Sequence, residues 1–184
     1  MRVITGIARG RKLIEPEGMD IRPTTDNVKE SIFNIIQFDI EGRKVLDLFA
    51  GTGQLGIEAL SRGAESCVFV DQSKAAVKLV KDNLKKTQLE NARVVQGDSI
   101  SFLAGREKFD LVFIDPPYAM ECSADAAERL ADAGILANGA IVVLESGEEE
   151  IDLESLARFE VIKSTHYVKK SFVNILLYRG DAEK

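Results

Sequence analysis

Asp115-Pro116-Pro117-Tyr118 is the most specific chemical signal in this 184-residue chain. By average residue usage that tetrapeptide arises by chance in roughly one chain of this length in a thousand. Two prolines fix φ and donate no N–H, so they form a rigid loop that presents carbonyls. Asp115 Oδ and the Pro116 carbonyl can then both accept from one exocyclic NH₂, while Tyr118 offers a ring on which a flipped base stacks. A conjugated amine is a poor nucleophile, because its lone pair is delocalised into the ring. Two acceptors holding its hydrogens favour the pyramidal form and free that lone pair. Such a transfer needs neither a strong base nor a metal.

A second signal lies upstream, where Asp47 precedes Gly51, Gly53 and Gly56. The three glycines satisfy G-x-G-x-x-G, in which a tight turn lets a ligand lie against the backbone. Asp71 follows 20 residues after Gly51, where a carboxylate can accept both hydroxyls of a ribose. A nicotinamide dinucleotide site shows the same spacing. Asp47 discriminates: a carboxylate just before the glycines repels a pyrophosphate and welcomes a cation. S-adenosylmethionine (SAM) has a ribose, an ammonium and a sulfonium, and no phosphate. Asp98, in Gln96-Gly97-Asp98-Ser99, is a third acid at a strand end and can read an adenine amino edge. Phe49 is placed either to pack on the cofactor or to fill the core.

These acids need strands that end together. Short apolar runs at Lys44–Phe49, Ser66–Val70, Ala92–Val95, Phe109–Ile114 and Ala140–Leu144 read as strands. The fourth is apolar at nearly every residue, as a strand buried on both faces should be. Helices are expected from Asp26 (Val28, Ile32, Ile35 and Ile36 share a face), over Gly53–Arg62, after Ser73, and over about Cys122–Ala131. Thr25, Asp26 and Asn27 offer N-caps for the first. Val3–Ala8 and Lys12–Ile14 suggest a hairpin around Arg9-Gly10, and Phe159–His166 with Phe172–Tyr178 a closing hairpin. Alternating βα units imply an α/β fold of Rossmann-like type: a mostly parallel, doubly wound, seven-stranded sheet with an antiparallel C-terminal pair. Its ligand belongs at the carboxyl ends of the strands. The expected organisation is an N-terminal hairpin extension over 1–23 and a cofactor-binding domain over 24–184.

Composition narrows the class. The chain is 45% hydrophobic and 29% charged, ordinary for a folded soluble domain. No run approaches ~18 uncharged apolar residues, and no apolar stretch follows Arg2 and Arg9 as in a signal peptide. Cys67 and Cys122 carry no disulfide framework or metal spacing, which fits a reducing cytoplasm. Cys67 is expected in the core, and Cys122 at a helix start. His166, the single histidine, reads as structural, and Glu148 to Glu150 as a solvated loop. The net charge is -6, unevenly spread. Residues 1–23 hold five basic and three acidic groups, residues 24–157 hold 13 and 24, and residues 158–179 hold five and one. Two basic ends thus flank an acidic body. Either this is ordinary solvated surface, or Arg9, Arg11 and Lys12, with Lys163, Lys169 and Lys170, meet a polyanion.

Asp47–Gly53, Asp71 and Asp115–Tyr118 together resemble amino-methyltransferases with a DPPY motif. Arg9-Gly10-Arg11-Lys12-Leu13, Arg22-Pro23-Thr24-Thr25-Asp26 and Val28-Lys29-Glu30-Ser31-Ile32-Phe33-Asn34-Ile35-Ile36 narrow the resemblance to the RsmD family, bacterial enzymes that methylate N2 of one guanine in 16S rRNA. The resemblance runs from Val3 to about Leu144. It implies a SAM-dependent enzyme releasing S-adenosylhomocysteine, working without a metal, as a cytoplasmic monomer, on 16S rRNA or an assembling small subunit. It assigns Asp115 to Tyr118 to the target amine, Asp71 (with Gln72) to the cofactor ribose, and Asp98 (with Ser99) to its adenine. It places Arg22 and Thr24 near the methionine end. The C-terminal run Lys169-Lys170-Ser171-Phe172-Val173-Asn174 departs from the Lys-Tyr-Gly-like run of many relatives. The loop chemistry alone also admits adenine N6. Guanine is favoured because Asp115 can accept from both N1–H and N2–H, a fit that adenine lacks.

Overall fold

Five parallel strands and an antiparallel pair build the sheet of the computed structural model, which describes residues 1–16, 25–99, 101–104, 107–116, 123–146, 156–167 and 171–180. In chain order the elements are α1 (Asp26–Ile35), β1 (Lys44–Leu48), α2 (Gln54–Ser61), β2 (Ser66–Asp71), α3 (Lys74–Thr87), β3 (Ala92–Gln96), a 3₁₀ turn (Ser101–Ala104), β4 (Phe109–Ile114), α4 (Ser123–Asp132), β5 (Leu136–Ser146), β6 (Phe159–Tyr167) and β7 (Ser171–Tyr178). The strand order is β3-β2-β1-β4-β5-β7-β6. β1 lies between β2 and β4 in parallel register, with Asp47 opposite both Phe69 and Phe113. β7 runs antiparallel to β5 and β6. The expected α/β sheet is therefore present, and its direction of winding reverses between β1 and β4.

The apolar runs form strands because alternate residues bury on opposite faces of the sheet. Val45, Phe69, Leu111, Phe113, Ile141 and Val143 face a layer of α1, α2 and α3. Leu46, Leu48, Val70, Val112, Ile114 and Leu144 face α4. Cys67 is fully buried in the first layer. Thr25 and Ser73 cap α1 and α3, each side-chain oxygen accepting from a backbone N–H three residues on. Gly56 lets α2 press on β2, since a Cβ there would stand 2.3 Å from the Phe69 ring. Among the described residues no helix is long and apolar enough to cross a membrane.

Several element boundaries differ from the sequence expectation. β5 starts at Leu136 rather than Ala140, extended past Gly139, whose positive φ interrupts the apolar pattern. The 3₁₀ turn carries no periodic signal. The N-terminal hairpin around Arg9-Gly10 is short: Arg2 bridges Lys12, Val3 N–H donates to the Arg11 carbonyl, Gly10 N–H to that of Val3 and Leu13 N–H to that of Met1, and the segment also bonds to the helices. Ile4 and Thr5 N–H groups donate to the Glu58 carboxylate at 2.7 and 2.9 Å. Ile7 N–H donates to the Ser61 carbonyl and Ala8 N–H to Ser61 Oγ. Val3, Ala8 and Leu13 sink into the same apolar layer as α1 and α2. Residues 1–16 therefore form a strap across the helices.

A buried charge pair pins that strap. Lys29 on α1 and Glu58 on α2 are both fully buried, 3.6 Å apart. Lys29 Nζ also donates to the Arg2 carbonyl, and Arg62 Nε donates to Glu58. Burial lowers the pKa of Lys29, and the Glu58 charge opposes that shift.

Candidate active site

The carboxyl ends of β4, β1, β2 and β3 lie side by side, and each carries one of the expected acids. β1 ends at Leu48 and turns sharply. Phe49, half-buried against the α4 layer, has φ 61°, followed by Gly51 at 54° and Gly53 at 75°. A left-handed phenylalanine costs about 1–3 kcal/mol and persists only where its surroundings over-determine it. The Ala50 N–H donates to the Val70 carbonyl, stitching this turn to β2. Asp71 completes the stitch: its Oδ2 accepts from Gly51 N–H at 2.9 Å and its Oδ1 from Ser73 N–H at 2.8 Å. Each oxygen keeps a further lone pair, so the carboxylate still has acceptor sites for hydroxyls.

Asp47 is more deeply placed than its expected contact with a ligand requires. It is 2% exposed, and its Oδ2 accepts from Gly56 N–H at 2.9 Å. It therefore caps the first turn of α2, a task that Gly53, lacking a side chain, leaves undone. Burial pushes its pKa well up, and the charges of Asp115 and Asp71 push it further, against the Gly56 hydrogen bond. This coupling places three carboxyls within electrostatic reach of one another at the point where the winding reverses.

Asp98 follows β3, and Gly97 N–H donates to the Asp71 carbonyl, joining the two strand ends. Asp98 Oδ1 accepts from Ser101 N–H and Oγ, so this acid also starts the 3₁₀ turn. Ser99 is buried and Gln72 exposed. Asp115 is half-buried and Pro116 buried, directly after β4. Pro117, Tyr118, Arg22, Thr24, Cys122, Glu148 to Glu150, Lys169 and Lys170 lie outside the described residues.

With this geometry in place, similarity to known proteins becomes informative. The family described as "Conserved hypothetical protein 95" matches residues 1–176. The chain belongs to that family. Ribosomal RNA small subunit methyltransferase D of Escherichia coli (strain K12) is 39% identical over 150 residues, covering 81% of this chain and 76% of its own length. The protein of that name from Haemophilus influenzae is 36% identical over 155 residues, 82% of this chain and 80% of its own. A solved structure of the candidate methyltransferase yhhF from Escherichia coli superposes with a TM-score of 0.86 at 33% identity, covering 98% of this chain and 99% of that one. The resemblance read from the N-terminal and strand-end motifs is borne out.

In this member of the Conserved hypothetical protein 95 family the basic N-terminal residues divide between a bonded arginine and exposed side chains. Arg11 donates to the Thr87 carbonyl and to Gln88 Oε1, at the far end of α3. Its guanidinium meets the open carbonyls of a helix C-terminus, which fixes where its charge sits. Arg9 and Lys12 remain exposed. His166 stacks on Phe172 across the β6–β7 pair, 4.4 Å between ring centres, consistent with a structural part.

Two residues of the site escaped the sequence reading. Asn83 on α3 is fully buried; its Oδ1 accepts from Ile14 N–H at 2.6 Å, and its Nδ2 donates to the carbonyls of Ile14 and Thr52. It ties the strap to the glycine turn. Its signal was an amide on the buried face of α3, beside Val80 and Leu84. Glu145, near the end of β5, is 6% exposed. It follows the apolar run ending at Leu144 as Asp115 follows Ile114, so the rule that selected the other acids selects it too.

Proposed function

We propose that this chain transfers a methyl group from SAM to the N2 amine of a guanine in the small-subunit rRNA. The observation that carries this is Asp115, held at the end of β4 beside the glycine turn of β1, where the winding of the sheet reverses. Ligands of doubly wound sheets bind at that point. The relatives named small subunit methyltransferase D support the RNA substrate, and we place the enzyme in the cytoplasm, where that RNA is assembled.

The donor set fits SAM better than a dinucleotide. A pyrophosphate would need the free N–H groups at the start of α2. Asp47 already occupies one of them, and its carboxyl lies in the electrostatic field of two more. A ligand with an ammonium and a sulfonium relieves that repulsion. Asp71 would hold its ribose, and Asp98 and the buried Ser99 would border its adenine. When bound, SAM supplies an electrophilic methyl group.

The rest is done by the chain. Asp115 Oδ and the Pro116 carbonyl accept from the two hydrogens of the exocyclic amine. As nitrogen becomes pyramidal these bonds strengthen, which is stabilisation specific to the transition state. The freed nitrogen lone pair would take the methyl group, sulfur would keep the electrons of its former bond to that methyl, and Asp115 would be the adjacent acceptor for the proton that nitrogen sheds. Tyr118, in the same loop, would stack on the extruded base.

The test uses small subunits from a strain lacking the enzyme, purified protein and labelled SAM, followed by nucleoside analysis. Label is expected in N2-methylguanosine. Label in N6-methyladenosine would overturn the base assignment, and no label in RNA would overturn the function. Asp115→Ala is expected to lose at least ~100-fold in rate with SAM binding retained.

A further inference from the structure

We infer that Glu145 is a specificity-determining residue, accepting the N1–H of the target guanine beside Asp115. The inference rests on the guanine-N2 reading above and adds to it the group that distinguishes guanine from other amine-bearing bases.

Register carries the placement. β4 and β5 are parallel neighbours, with Phe113 opposite Val143 and Ile114 opposite Leu144. The next pair in this register is Asp115 and Glu145. Side chains alternate between faces along a strand. Phe113 and Val143 both lie in the layer of α1, α2 and α3, so the acids two residues beyond them fall on that same face. Phe33 of α1 packs on Phe113, ring centres 5.6 Å apart. α1 therefore packs on this face of the sheet, and Glu145 is sheltered from water while Asp115 is half-exposed. Adjacent strands stand ~4.8 Å apart, near enough for two acidic side chains to converge on neighbouring donors of one base edge.

Chemistry supplies the ligand. A buried carboxylate stays in a protein only where donors meet it. Glu145 already interacts within the protein, but a carboxylate has about four lone-pair sites, so acceptor capacity remains. Asp115 and the Pro116 carbonyl are both committed to the two hydrogens of the amine. Guanine brings a third donor, N1–H, directly beside that amine. Adenine brings a bare N1 there, whose lone pair would face the Glu145 carboxylate. One residue would thus favour guanine and penalise adenine.

The experiment compares two RNAs in reconstituted small subunits: one with guanine at the methylated position, one with 2-aminopurine there. 2-Aminopurine keeps the exocyclic amine but has no N1–H. Wild-type protein is expected to methylate the guanine particle at least about tenfold faster, since a bond to a charged acceptor is lost. Glu145→Gln, whose amide can turn to donate to a bare N1, is expected to bring the two rates within a few-fold of each other. Its SAM affinity should match wild type. An unchanged ratio in E145Q would overturn the inference and leave N1–H to Asp115 alone. A variant that binds SAM yet methylates neither RNA would also overturn it, because reading one edge bond leaves transfer to 2-aminopurine intact. If E145Q does not fold, Glu145→Leu is measured in the same way: a ratio reduced to a few-fold sustains the inference, and a wild-type ratio overturns it. Wild-type protein inactive on both RNAs would instead refute the guanine-N2 reading itself.

Discussion

Asp47 and Asp71 look alike in the sequence and differ in kind once folded. Asp71 is half-buried, and its carboxylate braces the glycine turn while keeping acceptor sites for a ribose. Asp71→Ala is expected to weaken SAM binding at least tenfold, as bonds to a charged acceptor contribute about 1.5–3 kcal/mol each. Calorimetric titration reads this, and unchanged affinity would place the ribose elsewhere. Asp47 is a buried cap whose pKa is raised by burial first and by Asp115 and Asp71 second. The folded state therefore holds its proton to higher pH than the unfolded chain does. Above about pH 4, the ordinary carboxylate value, the unfolded state binds fewer protons than the folded one. Stability of the ligand-free protein should then fall as pH rises toward the raised value. Asp47→Asn keeps an oxygen for Gly56 N–H and removes the titration. Urea denaturation across pH should show the variant gaining on wild type as pH rises, while its SAM affinity drops. Parallel stability curves would refute the buried-proton account.

At the scale of elements, the strands were legible because apolar runs on both faces leave little else to form, and β4 matches its expected bounds. The strand-end acids were legible because a parallel sheet gathers its carboxyl ends. What stayed hidden depends on contacts between distant residues. Nothing local marks Val3, Ala8 and Leu13 as core of the helix layer, since their partners lie on α1 and α2. Arg11 reads as a cation for RNA until Thr87, 76 residues on, receives it. Asn83 shares the buried face of α3, but nothing local names its partners, Ile14 and Thr52. Glu58 shows what such contacts contribute. It pairs with Lys29 and accepts from Ile4 and Thr5 N–H, so Glu58→Ala leaves a buried ammonium and two backbone donors without it. Breaking a buried pair costs about 3–5 kcal/mol. The denaturation midpoint should fall accordingly, and a loss under about 1 kcal/mol would mean that the Arg2 carbonyl alone satisfies Lys29.

For the whole molecule the question is how an acidic protein holds RNA. We propose that basic groups at the two ends of the chain supply contacts, and the structure divides them. Arg9 and Lys12 are exposed, whereas Arg11 is held by α3. Replacing Arg9 and Lys12 with Ala should lower the slope of log affinity against log salt by about 1.5, close to one unit per phosphate contact. Arg11→Ala should lower thermal stability and leave that slope nearly unchanged. If the double variant keeps the wild-type slope, the RNA runs instead along Lys163, Lys169 and Lys170.

The strap has a consequence for the order in which the protein is made. Residues 1–16 leave the ribosome before their partners Glu58, Ser61, Asn83 and Thr87. At bacterial or eukaryotic elongation rates, the 76 residues between Arg11 and Thr87 take about 4–15 s to synthesise. Until α2 has been made, Val3, Ala8 and Leu13 lack much of the surface they bury against. The glycine turn at residues 51–53 emerges within the same interval and cannot be fastened by Asn83 until α3 has followed it. A nascent chain stopped before Asn83 should therefore lose its first residues to protease, and one carried past Thr87 should keep them. Residues 1–16, tied to the glycine turn through Asn83, are thus among the later parts of the fold to settle.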